Sequence, residues 1–592
     1  MHIINERIDL LRNSMRLQGI SACIIPGTDP HASEYFADYW KEREWISGFD
    51  GSMGTAVVTT EKAGIWTDSR YFLQADTQLK GTEFVSMKMG LPGTPNILPW
   101  LSSVLKPGDK VGVNPQMFSM SAFNTIQQDL KRSDIELVSI DLIQGIWVDR
   151  PALPDSPFFI YPTSFTGKDS KEKCALIQKE LQAARVDACI LPSLDDIAWL
   201  FNIRGKDVSY NPLVIAYALI TVEKVTLYID PKKINDENRA YLNNLDVVTK
   251  NYTDIYDDLK TLPTNYRVMV DGNKLNQSLY ESVPDGCEII SQLSPVAILK
   301  SIKNDVELSG FRKAMIKDGI ALTRFFMWLE GTVANTKQTE VSIAVKLDAF
   351  RREQGNYFGE SFGAIVGYAD HGAVIHYKAD ENSAYKLLPE NILLLDSGGQ
   401  YLEGTTDITR TTVLGQATEQ QKTDFTLVLK GHIGLATAVF PTGTRGSQLD
   451  ILARKSMWER GINYLHGTGH GVGHFLNVHE GPQSIRMEEN PVLLQPGMIL
   501  SNEPGIYRNG EYGIRIENLI HVIQKEETTF GSFLQFETLT LFPIEQKLIN
   551  KSLLNEQELQ WLNDYHQRVY ESLAPHLNDT EQKWLKEKTK NL

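Results

Sequence analysis

The chain has 592 residues, of which 42% are hydrophobic and 22% charged, and its formal net charge is −15 at pH 7. This length exceeds the ~250–300 residues at which a single core stops growing, so we expect several domains. The acidic balance, unbroken by a basic run, argues against nucleic acid or an anionic membrane surface as a partner.

The first residues carry charges where a secretory leader needs an apolar core, and no apolar run approaches the ~18 residues that span a bilayer. The uncharged stretch 208–222 is short, and we interpret it as a buried strand. Cys23, Cys174, Cys189 and Cys287 are scattered without a CxxC pair, which indicates buried free thiols in a reducing compartment. The sequence therefore predicts a cytoplasmic protein without a membrane segment.

Two segments in the first half of the chain share one pattern. Residues 7–26 and 173–192 each combine helical apolar spacing, a small turn and an apolar strand that ends in proline. Ala22-Cys23-Ile24 aligns with Ala188-Cys189-Ile190, and the separation of 166 residues is far longer than a solenoid repeat. The repeat predicts two similar α/β domains in tandem; chance similarity of two helix–strand units is the alternative.

Composition then divides the chain further. Prolines punctuate residues 151–162, and apolar spacing predicts a long helix over 305–329. The residues beyond 550 have amphipathic helical spacing, which we expect to pack on the preceding domain, an oligomer contact being the alternative. The predicted segments are tandem α/β domains at 1–155 and 156–298, a third domain at 299–545 and a helical extension at 546–592.

A histidine cluster stands out in the third domain. His466, His470, His474 and His479 lie within the segment HGTGHGVGHFLNVHEGP. Its glycines keep the backbone open, so the side chains are able to face a cleft. Structural histidines are common, and the cluster alone does not identify a site.

Acidic residues at strand ends make the cluster more specific. An apolar run ends at Asp396, and the segment 405–412, which contains Asp407, is typical of a returning strand. An antiparallel pair would aim both carboxylates at one point, where repulsion would raise their pKa values unless a cation lay between them. Glu503 ends another apolar strand, and Glu517 follows on a stretch that alternates with period two.

The combined set predicts a metal centre. Its members are Asp396, Asp407, His470, Glu503 and Glu517. Oxygen donors with one imidazole suit Mn²⁺, Co²⁺ or Zn²⁺, and five such side chains suffice for two ions ~3.5–4 Å apart. A hydroxide activated between two ions would make the site hydrolytic.

Five segments of the third domain form a specific set: Ile375-His376-Tyr377, LLLDSGGQYLEGTTDITRT, HGTGHGVGHFLNVHEGP, LSNEPGIY and YGIRIEN. Through these segments, residues 299–543 resemble the catalytic domain of the pita-bread metallopeptidases, and in particular the long, three-domain, cytosolic-type aminopeptidase P branch. SGFDGSMGTAVVT and WTDSRYFLQA, at 47–59 and 66–75, are similar to the first domain of long family members. The resemblance implies an α/β chain with two creatinase-like N-terminal domains and a pita-bread catalytic domain.

The resemblance assigns roles to the acidic residues and their neighbours. Two divalent ions, Mn²⁺ by family expectation, would be held by Asp396, Asp407, His470, Glu503 and Glu517. Asp407 and Glu517 would bridge the ions. Tyr507 and Arg515 match positions that contact the ligands, whereas no family role is expected for His474.

Four further residues, together with Glu503, would act on the substrate. His376, His466 and His479 match histidines that bind substrate, move protons and stabilise the tetrahedral intermediate, and Glu503 matches a general base or acid. Arg70 stands where long members place an arginine that reaches substrate from the first domain.

The implied reaction is metal-dependent hydrolysis of the bond between an N-terminal residue and a following proline, by a homodimer acting on peptides with proline second. A prolidase restricted to dipeptides is the first alternative, but such chains typically have one N-terminal domain. Creatinase-like chemistry fits less well, because that branch does not keep all five ligands. The non-enzyme alternative is a binding scaffold on the same fold, and all five ligands argue against it.

Overall fold

The computed structural model describes residues 2–334 and 337–592. They form a mixed α/β fold, which confirms the predicted class, and they divide into two compact units. The first unit comprises Met1–Tyr161 and Lys168–Val296, and the second comprises Pro162–Gly167 and Ala297–Leu592. Within the described ranges, no helix combines the length and apolar character needed to cross a membrane.

The first unit contains two six-stranded sheets. In spatial order, the strands of the first sheet are Phe84–Lys88, Ala63–Thr67, Thr55–Thr59, Ala22–Pro26, Lys110–Val113 and Glu136–Ser139. Those of the second are Val247–Lys250, Val225–Ile229, Ala216–Thr221, Ala188–Leu191, Arg267–Val270 and Glu288–Ser291. A short pair, Phe159–Ile160 and Ile203–Arg204, completes the strands described in this unit.

The two sheets have the same topology, and the predicted repeat is confirmed. In each, the first strand in the chain is central, pairs antiparallel on one side and pairs parallel on the other. The helices that precede these strands bury equivalent positions, again 166 residues apart: Ile8, Leu11 and Met15 correspond to Cys174, Ile177 and Leu181. One helix–strand pattern therefore folds twice in the same way.

Helices flank both sheets. In the first unit they are His2–Leu17, Glu42–Ser47, Phe72–Gln78, Ile97–Val104, Met120–Lys131, Ser170–Ala183, Leu194–Leu200, Asp236–Asn244, Ile255–Lys260 and Gln277–Glu281. Helix Pro295–Ser301 crosses the border between the units and also spans the predicted boundary at residue 298. The three boundaries between the four predicted segments stay predictions.

Two details of the first unit differ from expectation. Only Ala216–Thr221 of the stretch 208–222 is a strand, because the residues before it form irregular backbone in which Ser209 and Tyr210 are exposed. Cys23, Cys174 and Cys189 are buried free thiols as predicted, whereas Cys287 is half-buried.

The second unit contains several smaller sheets. Its three-stranded sheets are Tyr357–Glu360, Gly399–Tyr401 and Gly404–Thr405, and Ile365–Tyr368, Ile392–Ser397 and Ile408–Val413. A four-stranded sheet contains Val439–Pro441, Gly531–Thr538, Asn518–Thr528 and Ile499–Asn502. Two-stranded pairs are Gly469–His470 with Ser484–Ile485, and Gly505–Arg508 with Tyr512–Arg515.

Long helices cover these sheets. They are Asp305–Thr332, Glu340–Arg352, Glu419–Ala436, Gly446–Trp458, Glu556–Leu573 and Asp579–Lys588, with the short helix Thr163–Thr166 joining them. The first begins where Asn304 and Glu307 form a capping box, which satisfies two terminal N–H groups. Leu562, Val569 and Leu573 of the C-terminal helices are fully buried in the core of this unit, so the amphipathic tail packs on it as predicted.

Candidate metal centre

The first two predicted ligands lie at one end of a strand pair. Strand Ile392–Ser397 runs antiparallel to Ile408–Val413, with Asp396 opposite Thr409, which confirms the predicted pairing. Asp407 immediately precedes the second strand. Both acids are buried, Asp396 being 7% and Asp407 3% exposed, so neither is a solvated strand-end residue.

The other two acids leave a second strand pair at one end. Strand Ile499–Asn502 pairs antiparallel with Asn518–Thr528, and the last residue of the first is opposite the first residue of the second. Glu503 follows one strand and Glu517 precedes the other. The register therefore brings these two acids out of the sheet side by side.

The backbone around Glu517 departs from the predicted single alternating strand. Strand Tyr512–Arg515 forms a hairpin with Gly505–Arg508, and the next strand begins three residues after that hairpin ends. Arg515 and Glu517 are each 1% exposed. The hairpin and the four-stranded sheet are separate pairings, and Glu517 lies in the short connection between them.

Ligand atoms from three elements converge on one point. Asp407, His470 and Glu517 each offer one atom within 4.8 Å of the others. The Nε2 atom of His470 lies 3.4 Å from Asp407 Oδ2 and 3.5 Å from Glu503 Oε1. Its Nδ1 lies 3.0 Å from the carbonyl oxygen of Gly471, which accepts the N–H, so in the neutral ring the Nε2 lone pair faces the carboxylates.

Arg515 links Asp396 to one of the predicted substrate histidines. Its Nη2 donates to Asp396 Oδ2, and its Nη1 donates to the Tyr507 hydroxyl over 2.8 Å. That hydroxyl lies 2.8 Å from Nε2 of His466. Tyr507 and Arg515 thus connect Asp396 to His466 through hydrogen bonds.

Burial makes the acids of this cluster costly to ionise. Desolvation raises the pKa of Glu503 to about 7, and the charge of Asp407 adds to the increase. The pKa of Glu517 lies well above its ordinary value, first because of desolvation and then because of Asp407 and Glu503. Desolvation also raises the pKa of Asp396, although Arg515 opposes it.

Two carboxylate oxygens of the cluster are suited to a cation. Within the described ranges, Asp396 Oδ1 and Asp407 Oδ1 are buried and have no hydrogen-bond partner. Leaving a buried acceptor unsatisfied costs about 1–3 kcal/mol, and native proteins rarely do so without an ion or water. Carboxylates with one imidazole also match the ligand preferences of Mn²⁺, Co²⁺ and Zn²⁺. The residues therefore fit divalent metal ions.

Two hydroxyls that the sequence reasoning missed also belong to the site. Thr409 Oγ1 donates to Glu517 Oε2 over 2.8 Å. Ser501 Oγ donates to Glu503 Oε1 over 3.2 Å and accepts the backbone N–H of His470 over 3.0 Å. Each hydroxyl residue is two positions from a predicted ligand in the chain. Residues two positions apart on a strand share a face, and this spacing is the sequence signal that marks both hydroxyls.

The remaining histidines of the predicted set differ in their surroundings. The ring of His479 lies 4.3 Å from that of His470 at 81°. His474 is only 2% exposed, and its ring meets Phe311 edge-on at 5.4 Å, which is a packing position. His376 is half-buried in the turn that follows the 3₁₀ helix Ala369–Ala373.

Arg70 belongs to the first unit, whereas the cluster belongs to the second. It stands just before helix Phe72–Gln78, and its guanidinium donates twice to Asp68, over 2.9 and 2.7 Å. The guanidinium carbon also lies 5.5 Å from the ring centre of Tyr71. These contacts fix its position within the first unit, and its role toward substrate stays a prediction.

Protein-family models match most of the chain. Residues 7–145 and 149–307 each match the creatinase/prolidase N-terminal domain. Residues 309–524 match metallopeptidase family M24, and residues 532–592 match the C-terminal region of that peptidase family.

Individual relatives extend over the full length. The "Probable Xaa-Pro aminopeptidase P" of Talaromyces marneffei is 43% identical, over 99% of this chain and 92% of that protein. "Aminopeptidase P2" of Arabidopsis thaliana is 40% identical, over 100% of this chain and 89% of its own. The crystal structure of X-prolyl aminopeptidase from Caenorhabditis elegans, described as a cytosolic enzyme with a di-nuclear active site, superposes with a TM-score of 0.95 at 35% identity, covering 100% of both chains.

Proposed function

Because the chain belongs to the aminopeptidase P family of M24 metallopeptidases, we propose that it hydrolyses the bond between an N-terminal residue and a following proline. The observation that carries this proposal is the convergence of Asp407, His470 and Glu517 within 4.8 Å, beside buried carboxylate oxygens that have no hydrogen-bond partner among the described residues. A binding scaffold has no need for such a costly cluster of acids.

We assign the metal to five residues. They are Asp396, Asp407, His470, Glu503 and Glu517, and they would hold two divalent ions, Mn²⁺ by preference, with Co²⁺ or Zn²⁺ as substitutes. When bound, such ions polarise a carbonyl group and lower the pKa of a water molecule. Arg515 and Thr409 hold the acids in place through the hydrogen bonds described above.

The chain's other residues supply binding and proton transfer in this proposal. His466, fixed by Tyr507 at 2.8 Å, stabilises the oxygen that gains negative charge. His479 and Glu503 take and return protons, and His376 binds substrate beside them. For Arg70 we keep the substrate-binding role that the resemblance implies.

The preferred substrates are peptides with proline in second position. Proline has no backbone N–H and a fixed φ, so general peptidases handle the preceding bond poorly and a dedicated site is needed. We further propose a cytoplasmic homodimer, supported by the description of the worm relative as cytosolic and by the resemblance to long family members.

Substrate length and metal dependence test this function together. The full chain, stripped with EDTA and reconstituted with Mn²⁺, Co²⁺ or Zn²⁺ in turn, would be assayed on Arg-Pro-Pro, Ala-Pro and Arg-Ala-Pro. We expect EDTA-sensitive release of arginine from Arg-Pro-Pro, fastest with Mn²⁺, and none from Arg-Ala-Pro. Cleavage of Ala-Pro alone would make the protein a prolidase, and a chain that binds no metal and cuts no peptide would be a scaffold.

A further inference from the structure

The loop that carries His376 is long and irregular. Residues 369–391 connect strand Ile365–Tyr368 to strand Ile392–Ser397 and contain only one short 3₁₀ helix. Loops of this length without structure of their own are uncommon in compact domains and are usually functional. Since a substrate-binding histidine must be held to within a fraction of an ångström, the contacts that order this loop matter.

One buried carboxylate collects hydrogen bonds from both ends of the loop. Glu340 is the first residue of helix Glu340–Arg352 and is 0% exposed. It accepts the backbone N–H of Tyr368 over 2.8 Å and that of Tyr385 over 2.7 Å. The hydroxyl of Tyr377 reaches the same carboxylate over 3.3 Å. The acid therefore ties the start, middle and end of the loop to one helix.

A histidine inside the loop completes this contact. Nδ1 of His371 lies 3.0 Å from both carboxylate oxygens of Glu340, so the ring N–H donates to the acid. The imidazole is sandwiched between two phenol rings, 4.1 Å from Tyr377 at 29° and 3.6 Å from Tyr385 at 16°. We call Glu340, His371, Tyr377 and Tyr385 the loop clamp.

Another part of the loop lies against strand Tyr512–Arg515. A Cβ atom on Gly513 would come within 1.6 Å of the carbonyl oxygen of Gly372, so the loop and strand Tyr512–Arg515 touch through bare backbone. That strand ends at Arg515, the partner of Asp396. The loop is thus held by the clamp on one side and by the hairpin beside the ligands on the other.

We propose that Glu340 and His371 are positioning residues that set the place of His376, which lies between His371 and Tyr377 in the chain. The proposal rests on the function proposed above, because it gives His376 a role at the substrate. Loss of the clamp lets His376 move relative to the metal ligands, which lowers transition-state stabilisation more than ground-state binding.

Two variants test the clamp. His371→Ala removes the imidazole, and Glu340→Gln places an amide N–H₂ among contacts that are all donors. The matched control is His521→Ala, because Nδ1 of His521 makes the same kind of contact with Glu537, over 3.1 Å in the same unit. For His371→Ala and Glu340→Gln we expect kcat on Arg-Pro-Pro to fall ~10–100-fold with KM within ~3-fold, at unchanged metal content.

Chemical rescue adds a readout that a merely structural role would not produce. His371→Ala leaves a slot between two phenol rings, and added imidazole should restore part of kcat in that variant but not in His521→Ala or the wild type. Hydrogen exchange at the Tyr368 and Tyr385 amides should accelerate in Glu340→Gln.

These measurements separate the two proposals. If His371→Ala lowers kcat no more than His521→Ala does, or loses activity only in step with metal, the positioning role is wrong. Unchanged exchange at both amides would also overturn it. If instead exchange and rescue behave as expected but His376→Ala leaves kcat intact, the clamp orders the loop and the role of His376 in the proposed function is wrong. Should Glu340→Gln fail to fold, the less buried His371→Ala carries the test alone.

Discussion

Two groups of buried carboxylates, one in each unit of the molecule, are balanced differently. In the first unit, Asp207 and Lys233 form a buried ion pair, and Asp207 also accepts the backbone N–H of Ile215 over 2.7 Å. In the second unit, four acids meet at the candidate metal centre, where the Arg515 guanidinium contacts Asp396 and the His470 imidazole lies near Asp407 and Glu503.

The difference distinguishes an acid whose charge is balanced by a group of the protein from acids whose charge a bound cation would balance. A buried charge is tolerated when the protein supplies its counterion and hydrogen bonds, as Lys233 does for Asp207. At the centre, desolvation and mutual repulsion raise the pKa of Glu503 to about 7 and that of Glu517 well above its ordinary value. The charge that would balance those acids has to come from outside the chain, as metal ions.

The largest expected effect comes from removing one charge at the centre. Asp407→Asn keeps the size of the side chain but removes a carboxylate that is proposed to hold the metal ions, so we expect metal content to fall and kcat/KM on Arg-Pro-Pro to drop at least ~1000-fold. The control is Asp207→Asn in the first unit, which should keep activity within ~3-fold despite lower stability. Comparable activity losses in the two variants would erase the distinction between the acids.

Metal removal should destabilise one unit only. A ligand present at ~1000 times its Kd stabilises the folded state by about 4 kcal/mol. EDTA should therefore lower the free energy of unfolding of the second unit by about this amount, and with it the temperature of its unfolding transition, and leave the first unit unchanged. Differential scanning calorimetry with and without EDTA measures this. Equal shifts of both transitions would mean that metal acts elsewhere than at the acids.

Breaking the ion pair of the first unit should lower the free energy of unfolding by nearly as much as metal removal does. Lys233→Met leaves Asp207 buried without its cation, and loss of one partner of a buried pair typically costs ~3–5 kcal/mol. The double variant Lys233→Met with Asp207→Asn should recover part of this loss, because no charge is then left unpaired. Urea unfolding gives both values, and a harmless single variant would show that Asp207 does not depend on its counterion.

Much of this arrangement was predictable from local patterns. Apolar runs that end in Asp396 and Glu503 predicted strands, and the antiparallel return at Asp407 followed from a glycine-containing turn. The repeated helix–strand pattern predicted twin sheets, since equivalent apolar positions bury equivalent faces. These features depend on residues close together in sequence.

Features that depend on distant partners were not predictable. The strand ends before Glu517 because Tyr512–Arg515 pairs with Gly505–Arg508 in a hairpin. An alternating pattern of apolar and polar residues does not show which other strand a segment pairs with. Glu340 and His371 are 31 residues apart in the chain, and nothing local marks the acid as a buried acceptor. Arg410 is another case: its guanidinium is buried and donates to carbonyl oxygens such as those of Glu517 and Phe542.

The smallest expected effect concerns a buried acid of the first unit that accepts backbone N–H groups. Asp29 is 2% exposed, its Oδ1 accepts backbone N–H groups from His31 and Ser33, and its Oδ2 has no hydrogen-bond partner within the described ranges. Burial raises its pKa to about 6. The folded state then binds this proton more tightly than the unfolded chain, whose pKa is near ~3.9, so stability falls as pH rises from about 4 to 6 and stays lower above it.

Asp29→Asn keeps the acceptor but removes the charge, so it should match the wild type near pH 4 and stabilise the first unit by about 2 kcal/mol at pH 8. Urea unfolding of the first unit at both pH values measures the difference. An equal gain in stability at both pH values would show that the shape of the side chain, and not its charge, accounts for the effect of the substitution. A gain confined to high pH would give the cost of one uncompensated buried carboxylate in this protein, which is the cost that metal ions are proposed to offset at the centre of the second unit.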